Sequence, residues 1–256
     1  MEPILLPTKI EYQEDKENKN KGAIVIEPCY PGYGTTWGNA LRRVLLSSLI
    51  GGAVTAVKIK GIKHEFSTIP FVKEDVLEII LNLKQLRLKI FTEDEVRLSL
   101  KLKGEKKVYA KDIEKDAQVE IVNPNLLLAT LTNKRAVLEM QIFVKKGRGY
   151  LPVEERAGEE KEIGKILIDA VFSPVRQVGL KIENVRVGEK TNFERLTMPI
   201  ETDGTISPLG AFIQAVGMLK DHFSYLEEKF KPLEVEKIKK EVKRKRGRPR
   251  KGENKK

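Results

Sequence analysis

The sequence contains few of the residues that enzymes use for metal or thiol chemistry. Its 256 residues include one cysteine, Cys29, and two histidines, His64 and His222. One cysteine cannot form an internal disulfide, and these three residues are too few for a Cys/His zinc cluster within one chain. No apolar run approaches the roughly 18–20 residues of a membrane span, and the N-terminus lacks the pattern of a secretory signal. We therefore expect a cytoplasmic protein that holds no metal and contacts no membrane.

Motifs for catalysis are missing as well. No Walker A, G-x-S-x-G or H-E-x-x-H pattern occurs. Gly32-Tyr-Gly34 lacks the third glycine of a dinucleotide fingerprint, and Glu74-Asp75 is more simply a pair of acids at a helix start than a catalytic dyad. Gly147-Arg-Gly149 could form an anion nest, although a turn at a strand end is the simpler interpretation. We expect no catalytic residue and no cofactor in this chain.

The positive charge is concentrated at the C-terminus. The net charge is +11, and residues 231–256 hold 13 Lys and Arg against 4 Asp and Glu. The rest of the chain is therefore close to neutral. A basic tail on a near-neutral body indicates a polyanionic partner for the tail.

The segment 34–48 reads as a helix with two different faces. At helical spacing, one wide face has the pattern of an ordinary core stripe and carries Tyr33, Trp37, Ala40, Leu41, Val44, Leu45, Ser48 and Leu49. The opposite face carries Asn39, Arg43, Leu46 and Ile50. Apolar residues around an arginine are typical of a contact with another protein. The alternative is a helix buried on all sides, but two adjacent arginines argue against it because an unpaired buried charge is costly.

Other elements follow from periodicity. Alternating residues predict strands at 86–90, 96–102 and 136–144, and a short amphipathic helix spans 74–83. Thr35 or Thr36 is a candidate N-cap for the first helix. Ser207-Pro208 opens a last helix. Its apolar stripe is long enough for a helix-to-helix interface and comprises Leu209, Phe212, Ile213, Val216, Leu219, Phe223, Leu226 and Phe230.

Several segments in order resemble one family. The run G-x-T-x-G-N-A-L-R-R-x-L-L-S-S at 34–48 is similar to the first long helix of the alpha subunit of bacterial RNA polymerase. The resemblance continues through residues 54–61, 64–67, 74–84, 147–150, 169–175 and 201–204 and covers roughly residues 5 to 230. One departure is Trp37, where the family usually has a smaller aliphatic residue.

The resemblance implies an α+β fold and a scaffold function. It implies a discontinuous dimerisation domain at residues 1–50 and 175–231, an inserted strand-rich domain at 51–174, and a basic, disordered tail at 232–256. In the family, the alpha subunit is not catalytic. Two copies form a homodimer, which recruits the beta subunit through one copy and the beta-prime subunit through the other, and the catalytic metal lies in those large subunits.

The resemblance also suggests roles for individual residues. Arg43 and Leu46 correspond to the contact with beta, while Lys84 and Ile168 correspond to positions implicated in the contact with beta-prime. A solvated lysine at a helix end is the alternative for Lys84, and plain burial is the alternative for Ile168. The two apolar stripes correspond to the dimer interface: Trp37, Leu41, Val44, Leu45, Phe212, Ile213, Val216, Leu219 and Phe223.

The tail departs from the family. Most bacterial relatives continue through a linker into a second, DNA-binding domain, whereas this chain stops at Lys256, so we expect the tail to substitute for that domain. Its centre resembles an AT-hook that lies in narrow A·T-rich minor grooves, with Arg246, Gly247, Arg248, Pro249 and Arg250 as the DNA-binding residues. The alternative is a tail that binds any nucleic acid by counterion release. A stand-alone dimeric DNA-binding architectural protein is the competing class of function.

Overall fold

A computed structural model describes residues 4–156 and 162–246, with side chains up to Lys231. By internal contacts the chain divides into two units, one up to Ala215 and one from Val216 onward. The division into a discontinuous domain and an insertion at 51–174 stays a prediction.

The described residues form three helices and fifteen strands. The helices are α1 (Tyr33–Ser47), α2 (Val76–Lys84) and α3 (Pro208–Arg246). The strands are β1 (Lys9–Glu14), β2 (Lys21–Cys29), β3 (Ile50–Ile59), β4 (Leu88–Ile90), β5 (Val96–Lys103), β6 (Lys106–Tyr109), β7 (Val119–Ile121), β8 (Leu127–Leu131), β9 (Val137–Arg148), β10 (Tyr150–Leu151), β11 (Lys165–Leu167), β12 (Ala170–Val171), β13 (Val175–Val178), β14 (Lys181–Val187) and β15 (Lys190–Thr202).

One antiparallel sheet supports α1. It runs in the order β1-β2-β15-β13, and β14 also pairs with β15. Along β15, Leu196, Met198 and Ile200 alternate with more exposed residues and are buried, as expected for a strand with one covered face. Helix α1 packs on β13 and β15, so its apolar stripe and these strands form one core.

A second antiparallel sheet holds the larger core. Its order is β5-β9-β3-β4-β7, with β11 pairing β3. Helix α2 packs on β3 and β8 and buries Val76, Ile79, Ile80 and Leu83. The side chain of Asp75 caps α2 by accepting a hydrogen bond from the backbone N–H of Glu78 at 2.7 Å. This local arrangement fixes the side of α2 that faces solvent, which carries Leu77, Leu81 and Lys84.

One end of the six-stranded sheet packs closely on Phe172. Gly51 on β3 pairs with Gly147 on β9. A Cβ atom at Gly51 would collide with the carbonyl oxygen of Phe172, and one at Gly147 would lie 2.6 Å from the Phe172 ring. Only glycine permits this approach at both positions, because every other residue adds a Cβ.

The structure contains the elements that the sequence predicts, but some of their boundaries and caps differ. The α+β class is confirmed, as are the helices, the strands at 96–102 and 136–144, and the N-cap Ser207, whose Oγ accepts from the N–H of Gly210 at 3.1 Å. The strand predicted at 86–90 is shorter and comprises only Leu88–Ile90. The Thr35 or Thr36 cap is wrong, because the N-cap is Gly32 and Thr36 instead donates its hydroxyl to the Gly32 carbonyl oxygen. The strand predicted to end at 144 continues as β9 to Arg148, since Lys145–Arg148 pair with the start of β3.

Helix α3 is longer than its apolar stripe. The backbone is helical from Pro208 to Arg246, so it continues into the segment that was predicted to be a disordered tail from residue 232. Residues 247–256 lie outside the described part of the chain.

The contact at Phe172 gives a stability prediction. We expect Gly51→Ala to lower the free energy of unfolding by about 3 kcal/mol, because the new methyl group meets backbone that cannot rotate away. The matched variant Gly147→Ala meets only a side-chain ring, so its cost should be smaller, roughly 1 kcal/mol. Urea unfolding of both variants measures the difference, and equal costs would contradict this account of the junction.

Candidate subunit-contact surfaces

Helix α1 has one sealed face and one free face. Leu41, Leu45 and Leu49 are at most 6% exposed. On the opposite side Asn39, Arg43 and Leu46 are exposed, Leu46 to 36%. The predicted division into two faces is therefore confirmed within the helix, but Ile50 does not belong to it, because α1 ends at Ser47 and Ile50 is the first residue of β3. We call the exposed group of Asn39, Arg43 and Leu46 the back face of α1.

The free face is held in position by a carboxylate from the sheet. Glu194 on β15 accepts hydrogen bonds from the N–H groups of Gly32 and Gly34, both at 2.9 Å. These are among the N–H groups that a helix start leaves without an intrahelical partner, and a negative charge is favourable there. The cap comes from a strand about 160 residues away in sequence, so local sequence reasoning could not find it.

An aromatic row extends this anchor. Phe193, Tyr30, Tyr33 and Trp37 contact one another edge to face, with ring centroids 5.4 to 6.0 Å apart. Such pairs stabilise by about 0.5–1.5 kcal/mol beyond area burial. Trp37, which the family usually replaces with a smaller aliphatic residue, is therefore the last ring of a row that begins on β15 and reaches the first turns of α1.

A groove lies beside α2. It encloses about 640 Å³ and is lined by α2, β11 and the adjoining loops. Lys84 Nζ lies 3.1 Å from Asp169 Oδ2, and Asp169 Oδ1 accepts from the N–H of Val153 at 3.0 Å. The N–H of Val153, followed by Lys84, lowers the pKa of Asp169. Lys84 is thus a positioned cation at the groove rather than a freely solvated one.

Ile168 does not reach this surface. Its side chain is 2% exposed and belongs to the core of the six-stranded sheet, while its N–H donates to the carbonyl oxygen of Thr55 at 2.9 Å. The alternative of plain burial is correct for the side chain, because apolar neighbours surround it. The residues exposed at the groove are Leu77, Leu81 and Ile163, at 42%, 52% and 86%, and the sequence analysis did not single them out.

The stripe on α3 is exposed over most of its length. Ile213, Phe223 and Phe230 are exposed to between 61% and 63%, and Val216 to 41%. Phe212 and Leu219 are half-buried, as are Trp37 and Val44 on α1. Leu41 and Leu45 differ from the other residues predicted for a dimer interface, because they are buried within the single chain.

Ile10 is a further exposed apolar residue, which the sequence alone did not indicate. Ile10 on the edge strand β1 pairs with Ile26, which pairs with Leu196, so all three side chains share one face of the sheet. Ile26 and Leu196 are buried, whereas Ile10 is 66% exposed. Its position in the hydrophilic segment 9–14 gave no sign of this, since only the pairing reveals the face.

The described residues contain neither a candidate metal site nor a candidate membrane-spanning helix. Across 4–156 and 162–246, no group of three His, Cys, Asp or Glu side chains is placed to hold a metal ion. None of the described helices is both long and apolar enough to cross a bilayer. The DNA-binding residues expected at Gly247, Arg248, Pro249 and Arg250 lie outside the described residues, and Arg246 is described only in its backbone.

The fold and the exposed surfaces indicate the class of protein. The chain is a strand-rich α+β protein with exposed apolar side chains beside cations. Residues 57–173 match the family model described as RNA polymerase Rpb3/RpoA insert domain.

Relatives that align with most of the chain belong to the same family. The alpha subunit of DNA-directed RNA polymerase from Symbiobacterium thermophilum is 50% identical over 214 residues, and that from Oceanobacillus iheyensis is 47% identical over 216 residues. Each alignment covers 84% of this chain and 68% of the relative. The alpha subunit from Aquifex aeolicus is 46% identical over 238 residues, which is 92% of this chain and 74% of the relative.

The chain belongs to the alpha subunits of DNA-directed RNA polymerase. Membership makes it a subunit of a nucleotidyltransferase complex that carries out transcription, in which it is assembled with other polymerase subunits. Membership supports a scaffold role.

The Lys84–Asp169 pair gives a prediction about pH. Because the folded-state pKa of Asp169 is lowered, its contribution to stability is present above the unfolded pKa, about 4, and is lost as the pH falls through the folded pKa. We expect Asp169→Asn to be less stable than the wild type at neutral pH and the gap to close in acid. Urea unfolding from neutral pH to pH 3 measures this. Glu93→Gln, which removes a pair with Lys146 whose acid is 86% exposed, is the control with little effect, and a gap independent of pH would contradict the prediction.

Proposed function

We propose that this chain is the scaffold on which the polymerase assembles, and that the back face of α1 binds the beta subunit. One observation supports this proposal most directly. One side of α1 is buried, and the opposite side exposes a cation, Arg43, together with apolar surface. Arg43 has no ion pair among the residues that the structure describes, and Leu46, three positions further along the same helix, is exposed to 36%. An arginine flanked by apolar residues is the usual composition of a binding hot spot.

The orientation of this surface supports the same function. Glu194 fixes the start of α1 and the leucine stripe fixes its rotation. A partner therefore meets Arg43 without first ordering the helix, and association is cheaper when fewer groups have to be immobilised.

Assembly with the beta subunit tests this surface. We expect Arg43→Ala to weaken binding to beta by about 2 kcal/mol or more, roughly 30-fold, because a hot-spot arginine is lost. Arg186→Ala, at an exposed arginine on β14, is the matched control and should bind as the wild type does. Titration of labelled beta into each purified dimer measures the affinity, and wild-type affinity in Arg43→Ala would overturn the proposal. Failure of all variants, including the wild type, to bind beta would favour a stand-alone DNA-binding protein.

We propose that a second copy covers the apolar stripe of α3. Ile213, Val216, Phe223, Leu226 and Phe230 are all more than 40% exposed, and a contiguous apolar patch of this kind marks a protein interface. A two-fold interface uses the same patch on both copies.

Placing a charge in the stripe tests dimerisation. We expect Phe223→Glu to convert the dimer into monomers at micromolar concentration, because an unpaired carboxylate would be buried against the partner. The control is Gln214→Glu, a charge at an exposed polar position of the same helix, which should leave the dimer intact. Sedimentation velocity distinguishes the two states, and a dimeric Phe223→Glu would refute this interface.

We propose that the groove beside α2 binds the beta-prime subunit. Lys84 is held by Asp169 at its edge, and Leu77, Leu81 and Ile163 offer exposed apolar surface there. Ile168 acts beneath this surface as a packing residue.

We also propose that the tail contacts A·T-rich DNA. Support comes from its sequence alone, Arg246-Gly-Arg-Pro-Arg250, in which arginines can enter a narrow minor groove. We expect the full chain to bind an A·T-rich duplex about tenfold more tightly than a G·C-rich duplex of equal length at physiological salt. Arg246→Gln/Arg248→Gln should abolish the preference in fluorescence anisotropy. Equal affinities for the two duplexes in the unaltered chain would leave only non-specific attraction to polyanions.

A further inference from the structure

A small sheet in the segment 57–173 has a basic outer face with aromatic rings. Strand β6 pairs with β8 so that Lys107 lies opposite Thr130 and Tyr109 opposite Leu127. The inner face of the same pair carries Val108 and Leu131, which are 0% and 1% exposed. Lys107, Tyr109, Leu127 and Thr130 therefore belong to the face turned away from the core.

A third segment extends this face. The N–H of Lys73 donates to the carbonyl oxygen of Thr130 at 3.0 Å, and the N–H of Thr132 donates to the carbonyl oxygen of Phe71 at 2.9 Å. The order across the sheet is thus β6, β8 and residues 71–73. Lys73 and Lys107 lie on the two sides of Thr130, which makes a row of two cations with a hydroxyl between them.

The charge around this face is strongly positive. Six exposed cations lie on this face or in the segments next to it, and none of them forms an ion pair among the described residues: Lys73, Lys106, Lys107, Lys111, Lys134 and Arg135. The neighbouring acids are Glu74, Glu105 and Asp112. Glu74 already accepts from the N–H of Thr130 at 2.6 Å, and Asp112 from the N–H of Tyr109 at 2.8 Å. Six cations against three carboxylates leave a net positive surface whose cations have no ion-pair partner in the described part of the chain.

Two aromatic rings accompany the cations. The ammonium group of Lys111 lies 5.3 Å from the centroid of the Tyr109 ring. Phe71 is 50% exposed and adopts a left-handed backbone with φ 63°, a conformation that is strained for a bulky residue. Thr132 holds Phe71 there, because both its N–H and its hydroxyl donate to the Phe71 carbonyl oxygen. Strain of this kind is kept where the surroundings impose it and is concentrated at binding sites.

We propose that this face, which we call the β6–β8 platform, binds single-stranded nucleic acid. Lysines would contact the phosphates, and unpaired bases would stack on Tyr109 and Phe71, the two elements of single-strand recognition. A duplex fits less well because its bases are already stacked and their faces are covered. An acidic polypeptide would use the cations but has no need of the exposed rings. The inference does not depend on the proposed contacts with beta, beta-prime or a second copy.

The experiment must separate the platform from the basic tail. It uses the full-length chain with the tail cations replaced by glutamine at Lys243, Arg244, Lys245, Arg246, Arg248, Arg250 and Lys251. The probe is a fluorescein-labelled oligonucleotide of roughly 16 unpaired nucleotides, as DNA and as RNA, with a duplex of equal length for comparison. Fluorescence anisotropy over a salt series gives the affinity and its salt dependence.

We expect Lys73→Glu/Lys107→Glu, at the two cations that flank Thr130, to weaken binding of the single strand by about tenfold or more and to reduce the salt slope by about 1.4. The matched control is Lys16→Glu/Lys19→Glu, which makes the same change in net charge on exposed lysines of the turn after β1. Phe71→Gly should weaken binding by about tenfold while keeping the fold, because glycine adopts the left-handed backbone without strain.

Three results would overturn the proposal. The first is equal weakening by the two lysine pairs, which would reduce the effect to net charge. The second is tighter binding of the duplex than of the single strand. The third is no binding of either probe in the tail-substituted chain, which would leave an acidic polypeptide as the partner of this face. None of these results affects the predictions for Arg43 or Phe223.

Discussion

The sealing of one side of α1 is the constraint on which the contact surfaces depend. Leu45 is fully buried against the five-stranded sheet, so the helix cannot rotate without exposing its leucine stripe. Each such side chain costs about 1.5–3 kcal/mol to expose. Glu194 also fixes the N-terminal end of α1, because its carboxylate accepts hydrogen bonds from two N–H groups at the helix start. As a result, Arg43 and Leu46 remain exposed, and Arg43 has no ion-pair partner among the described residues.

Periodicity predicted much of this, because it reports burial directly. The stripe on α1, the opposite face around Arg43 and the cap at Ser207 could all be read from the sequence, since each depends on residues within a few turns of one another. The family resemblance supplied the α+β class and the identity of the family. The sequence could also indicate that α3 has a stripe, but the exposure of that stripe required the structure.

The features that sequence reasoning missed are those made by distant residues. Glu194 caps a helix that begins about 160 positions earlier, and so the local search for a cap selected a threonine instead. Ile10 is exposed on an apolar face only because β1 pairs in one particular register with β2. Ile168 was assigned to a surface by its position in a motif, yet its side chain lies in the core, where its N–H, just after β11, donates to the carbonyl oxygen of Thr55 on β3. Pairing between strands, and not composition, decided each of these cases.

The two main contact surfaces are coupled by short covalent and packed connections. Helix α1 ends at Ser47 and β3 begins at Ile50, so the back face of α1 and the six-stranded sheet are separated by two residues. Close to this connection, Gly51 and Gly147 at the start of the six-stranded sheet pack directly on Phe172. Close-packed interiors transmit displacement rather than absorb it. A subunit bound at Arg43 and another bound at the Lys84 groove would therefore be held at a set separation, which is the mechanical property that a scaffold for two large chains requires.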